Sequence, residues 1–177
     1  MSETVKPKSC MTLNLGNYNN FLQQVQQDPA KANFSFSAKT VWKDGTVTET
    51  IARDRVIKAD EPEAFGGKDS SFDPVELLLA ALTSCVSIGL VTQAAKRGVD
   101  FDDFEIEVTG DLDLRGYLGL DESVRPGYTN VQYVVRVKSD APQEVIEEIL
   151  RTAERTSPMF DNIRNGVPIS SRLEMMA

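Results

Sequence analysis

Asp73-Pro-Val-Glu-Leu-Leu-Leu-Ala-Ala-Leu-Thr-Ser-Cys85-Val-Ser-Ile-Gly-Leu90 is the stretch that decides the fold. It carries a complete helix start: Asp73 as N-cap, Pro74 where no backbone donor is needed, and Glu76 to close a capping box. Phe72 is placed to staple against Leu77. No helix breaker follows until Lys96 and Arg97, which suit the negative end of the helix dipole, and Gly98, which stops it. The predicted helix has about 24 residues and is about 36 Å long. Leu77, Leu78, Leu79, Leu82, Val86, Ile88, Leu90 and Val91 surround it, so it must be covered on several sides. Thr83, Ser84 and Ser87 interrupt the apolar run, which argues against a membrane span.

Working outward, the pattern period falls to two on both sides of this helix. Phe34, Phe36, Ala38 and Thr40 alternate, Lys43-Asp44-Gly45 turns, and Thr46 to Ile51 returns, which predicts a β-hairpin, with Arg55–Lys58 as a third short strand. Gly66 and Gly67 mark a loop before the helix. Beyond it, Phe104–Thr109, continued by Asp111–Leu114, and Val131–Val137 read as strands, Pro142–Thr156 as an amphipathic helix and Val167–Leu173 as a last strand. Residues 17–28 predict a short helix with Tyr18, Phe21, Leu22 and Val25 on one face, so residues 1–33 form an N-terminal extension and residues 34–177 the main domain. The order of elements reads as an α+β fold with mostly antiparallel sheets.

Composition narrows the function. With 177 residues, 41% apolar and 26% charged, the chain suits one compact domain. A net charge of −8 without a basic run disfavours nucleic acid. Met1–Cys10 lacks the apolar core of a signal peptide and reads as a loose polar segment, so Cys10 is not expected to pair with Cys85, and reduced thiols fit a cytoplasmic setting; no membrane partner is expected. The absence of histidine removes Cys-His and Ser-His pairs and every His-containing metal site. Asp111 and Asp113, alternating on a strand, read as a solvated face, so no metal is expected.

Cys85 is the residue best placed for chemistry, although a small buried core residue is the plainer account of a helix cysteine. It lies about 18 Å from the positive end of the helix, too far for the dipole to help it ionise. Because an apolar environment disfavours the thiolate, a reactive Cys85 needs a cation from another segment. Ala81 and Gly89, small and one turn away on either side, allow a close approach to the sulfur.

The Gly66-Gly67 loop, the Pro74–Cys85 run and Ser157-Pro-Met-Phe-Asp-Asn-Ile-Arg-Asn-Gly-Val-Pro168 resemble the osmotically induced protein C and organic hydroperoxide resistance (OsmC/Ohr) family over residues 34–174. The resemblance implies an intertwined homodimer whose sheets wrap paired central helices, and an attacking cysteine at Cys85. It also implies a resolving cysteine at the position of Ser157, whose hydroxyl cannot form that disulfide. The family's carboxylate falls on Val75, beside Glu76, and its arginines fall near Phe65 and Lys43. Glu76, Lys68, Lys43 and Arg53 are therefore the candidate thiolate partners, with Glu76 equally accounted for as the capping-box carboxylate. Three functions compete. One is a one-cysteine peroxidase for organic hydroperoxides, with no cofactor, an external thiol or dithiol as reductant, and a pocket from Leu82, Ile88, Phe65, Met159 or Phe160. The second is a non-enzymatic dimer that binds a small hydrophobic ligand, and the third a thiol that traps electrophiles.

Overall fold

The computed structural model describes residues 8–176. Met1–Pro7, over which most of the signal-peptide reading runs, lie outside the described residues. In chain order the elements are α1 (Leu15–Gln27), β1 (Lys39–Asp44), β2 (Val47–Ala52), β3 (Arg55–Ala59), α2 (Pro74–Lys96), β4 (Asp103–Asp111), α3 (Leu114–Tyr117), β5 (Asn130–Lys138), α4 (Gln143–Arg155) and α5 (Pro158–Asn165). Both sheets are antiparallel, one of three strands in the order β1-β2-β3 and one of two, β4-β5. The fold is α+β, as the pattern predicts.

α2 begins as its sequence dictates. The Asp73 side chain accepts from Val75 N at 2.8 Å and the Glu76 carboxylate accepts from Asp73 N at 3.0 Å, closing the capping box. Phe72 stays exposed, and its backbone instead bridges Ala59 at the end of β3. The hydroxyls inside the apolar run turn back on the helix, Thr83 to the Leu79 carbonyl and Thr92 to the Ile88 carbonyl, so they need no outside partner.

The β4–β5 ribbon runs in unbroken register from Asp103 opposite Lys138 to Asp111 opposite Asn130. One face presents Phe104, Ile106, Val131, Tyr133, Val135 and Val137 to the core; on the other Arg136 bonds Glu105 at 2.9 Å and Glu107 at 2.8 Å. α2 and α4 cross above the apolar face, with Val86, Leu90, Ile149 and Ala153 fully buried. A Cβ at Gly89 would stand 3.0 Å from the Ala153 Cβ, so the crossing is as close as it is because position 89 has no side chain.

Four expectations are corrected. Phe34 and Phe36 precede β1; Phe34 meets Phe21 of the extension edge-on at 5.8 Å and stacks with Phe36 at 6.4 Å, leaving Phe36 93% exposed. Asp113 does not continue a strand but caps α3, accepting from Arg115 N. Val167–Leu173 has the alternation of a strand, but a strand exists only in a ladder, and among the described residues nothing pairs with it; Ile169 is 90% exposed. Cys10, expected in a loose segment, is tied down: its N–H donates to Asp100 at 2.6 Å, and burial pushes its thiol pKa up.

The β1–β3 sheet packs only marginally on α2 and joins it through residues 60–73. Asp60, 1% exposed, organises that link, accepting from the Thr46 hydroxyl, the backbone of Glu61, Lys68 and Ser70, and the Ser70 hydroxyl. Gly67 crosses so close that a Cβ there would lie 1.8 Å from the Glu61 carbonyl oxygen. The hydrogen bonds from Ser70 and Thr46 hold the Asp60 carboxyl far below the usual carboxylate range. A carboxyl depressed in the folded state stabilises fully above its unfolded value of about 4 and loses that contribution as pH falls below it. Asp60→Asn should lower Tm by several degrees at neutral pH and flatten the fall of Tm between about pH 4 and pH 2; thermal melts across that range check it, and an unchanged acid limb would refute it.

Candidate functional site

Cys85 lies midway along α2, partly exposed and unpaired, and Cys10 is likewise a free thiol. The α2–α4 crossing delivers its neighbour. α4 ends at Arg155, Thr156 closes its last turn on the Thr152 carbonyl, and Ser157 follows as N-cap of α5, with Pro158 in the first helical position. This cap is built like that of α2, a short polar side chain followed by proline. Ser157 is 3% exposed; its Oγ accepts from Phe160 N at 3.2 Å and donates to Cys85 Sγ at 3.2 Å. The hydroxyl is thus fixed from behind by a backbone donor and aimed at the sulfur. The position that resemblance assigns to a resolving cysteine does stand against Cys85, although the two are 72 residues apart in sequence.

The other candidate partners are elsewhere. Glu76 is engaged as the capping-box acceptor, and nine residues from Cys85 means half a turn round the helix and about 13 Å along it, beyond the reach of the sulfur. Lys43 pairs with Glu49 across β1 and β2 at 2.8 Å, and Lys68 pairs with Asp44 at 2.8 Å. Arg53 occupies the β2–β3 turn with φ 58°. Because the β1–β3 sheet stands off α2, none of these cations meets Cys85 within one chain.

The expected pocket is found in part. Leu82, one turn before Cys85, and Phe160, three residues after Ser157, line a cavity of 560 Å³ between α2, β5 and α5. Ile88 is not part of it but 70% exposed, Phe65 stacks edge-on against Tyr117 at 6.2 Å, and Met159 packs on the core. Sequence reasoning missed Arg125 and Arg164, which also line this cavity. Arg164 belongs to the quoted Ser157–Pro168 stretch, but only the turn into α5 brings it there, and nothing in the turn-rich segment around Arg125 signals its destination.

The fold has known counterparts. The family model for OsmC-like protein matches residues 67–172, more than half of the chain. The chain belongs to the OsmC-like protein family. Solved structures agree on the fold. An OsmC-like protein from Mycoplasma pneumoniae has a TM-score of 0.66 at 15% identity, covering 75% of this chain and 89% of that one. For a putative osmotic stress induced and detoxification response protein from Psychrobacter arcticus the TM-score is 0.62 at 19% identity, covering 76% and 92%. For the organic hydroperoxide resistance protein OhrB of Bacillus subtilis it is 0.52 at 24% identity, covering 73% and 92%. A comparison with curated proteins found no match.

The contact between Ser157 and Cys85 can be tested covalently. A disulfide needs a sulfur–sulfur bond of about 2.05 Å, a short step from the observed 3.2 Å. Ser157→Cys should form an intramolecular disulfide with Cys85 on mild oxidation, read by peptide mass mapping with and without reductant; persistence of both free thiols would show that the two positions are not in contact.

Proposed function

We propose that the protein is a one-cysteine thiol peroxidase that reduces organic hydroperoxides at Cys85, in the cytosol and as a homodimer. The observation that carries this reading is the Ser157 hydroxyl donated to a partly open Cys85 sulfur. Two structural neighbours, an organic hydroperoxide resistance protein of Legionella pneumophila and OhrB, support it. The Cys85 thiolate attacks the terminal peroxide oxygen and the O–O bond breaks. The alkoxide leaves and takes a proton from solvent, and Cys85 becomes a sulfenic acid. Ser157 cannot resolve it. One external thiol condenses with it and releases water, and a second displaces Cys85 from the mixed disulfide, leaving as an external disulfide. Hydroperoxide and two thiols thus yield alcohol, water and disulfide.

A second reading, a non-enzymatic dimer that binds a small hydrophobic ligand, is favoured by one observation: no Lys or Arg among the described residues hydrogen-bonds Cys85. Turnover separates the two. Wild type with excess dithiol should consume an organic hydroperoxide and show a sulfenic acid trapped at Cys85, whereas Cys85→Ser should fall to the uncatalysed background. Equal rates in both proteins would leave the binding reading.

What one chain leaves uncovered supports the homodimer. An 18-residue stretch of α2 has a mean hydropathy of 2.0, yet Ala81, Ser84 and Ile88, spaced along one face, are exposed. The β1–β3 sheet likewise leaves Trp42, Val56 and Ile57 open. Exposed apolar area of this extent is covered by association. Light scattering should give twice the chain mass, and Ile88→Glu should shift the protein toward monomer or aggregate; a monodisperse wild-type monomer would exclude the dimer.

A further inference from the structure

The 560 Å³ cavity beside the thiol carries a second message in its charges. The chain has 27 acidic and 19 basic residues, yet among the described residues the only charged side chains lining this cavity are Arg125 and Arg164. Several other guanidiniums are matched: Arg115 bonds Asp113, Arg136 bonds Glu105 and Glu107, and Arg151 bonds Glu148; Arg53, Arg55 and Arg155 have no such partner among the described residues but do not line this cavity. Arg125 and Arg164 make no hydrogen bond or ion pair among the described residues. Arg164 also borders a neighbouring cavity that holds Glu154 and Asp161, whereas no carboxylate lines the cavity that Arg125 faces.

Most of the other polar side chains around the cavity are already engaged. The Tyr128 hydroxyl donates to the Val75 carbonyl at 2.9 Å, the Thr129 hydroxyl to the Asp111 carbonyl at 3.1 Å, the Asn130 amide to Asp111 at 3.1 Å and the Tyr133 hydroxyl to Glu154 at 2.5 Å. They fix the wall and leave the two guanidiniums, with the neutral Asn162 amide, as the free side-chain donors among the described residues. The rest of the lining is apolar, chiefly Leu78, Leu82, Phe160 and Ile163. A volume of 560 Å³ lies within the range of about 300–1,000 Å³ typical of small-molecule sites, which pair an apolar body with a few placed polar groups.

We propose that this cavity binds an anionic amphiphile, a straight apolar chain ending in a carboxylate or phosphate monoester. The oxyanion is held by the planar forks of Arg125 and Arg164, and the chain lies along Leu78, Leu82 and Phe160. Cys85 does not line the cavity, so binding does not depend on chemistry at the thiol and stands or falls apart from peroxidase activity.

Isothermal titration of the full-length protein with octanoate, octyl phosphate and octan-1-ol tests it. At least one anion should bind about tenfold more tightly than the alcohol, the better of the two naming the head group. Arg125→Met and Arg164→Met should each bring anion affinity down toward that of the alcohol, with Arg125→Met the larger loss, while Cys85→Ser binds as wild type. Should a Met variant not fold, Arg125→Lys, which keeps the charge and loses the fork, should still weaken the anion several-fold. Equal affinity for anion and alcohol, unchanged affinity in the folded arginine variants, or no binding because a second copy of the chain fills the cavity, would each overturn the proposal.

Discussion

The site depends on the crossing of α2 and α4 at Gly89 and Ala153. With no side chain at position 89, Ala153 comes within 3.0 Å of where a Cβ would stand, and the end of α4 is drawn onto the middle of α2. Everything that meets Cys85 follows from that approach. Four residues after Ala153 the chain turns at Ser157, already within bonding distance of the sulfur. A bulkier residue at 89 would lift α4 and carry Ser157 away, because close-packed interiors transmit such strain instead of absorbing it. The same packing surrounds Val86, Leu90 and Ile149, so the geometry of the thiol is set by the best-buried part of the molecule.

Local rules made much of the fold legible. Asp73, Pro74 and Glu76 fix the start of α2, and the alternation in β4 and β5 fixes which face turns inward. Legibility ended where a residue's state depends on a partner distant in sequence. Val167–Leu173 carries strand alternation but finds no ladder among the described residues, and Phe34 is drawn edge-on against Phe21 before β1 begins, with Phe36 stacked on it and left exposed. α5 was hidden for another reason. Its eight residues are too few to display a helical period, although its Ser157-Pro158 cap repeats the device that announces α2.

The candidate site divides in the same way. Cys85 is conspicuous as the one cysteine in a long apolar helix, and resemblance to a family indicated Ser157. Charge partners were not legible, since an ion pair is decided by which sheet packs on which helix. Lys43 and Lys68 find Glu49 and Asp44 within their own neighbourhood, at 2.8 Å in both cases. Glu76 is occupied at the cap, and its angular position on α2 excludes it from the sulfur whatever the tertiary structure does.

A serine at the resolving position changes what the site can do, beyond deleting a disulfide. A cysteine there would compete for the oxidised sulfur; a hydroxyl hydrogen-bonds to it but cannot form the disulfide. The sulfenic acid formed in the proposed cycle therefore persists until a thiol arrives from solution, and access to Cys85 governs its lifetime. Access is controlled on two levels. Within the chain, Leu82, one turn before Cys85, and Phe160, whose N–H donates to Ser157 Oγ, line the arginine-bearing cavity, which Cys85 itself does not line. Between chains, the exposed Ala81, Ser84 and Ile88 face is the surface that association would close over the neighbouring turn of helix. A reductant small enough to pass either barrier, or a partner whose binding opens one of them, would set the rate of the cycle; the chemistry at sulfur would not.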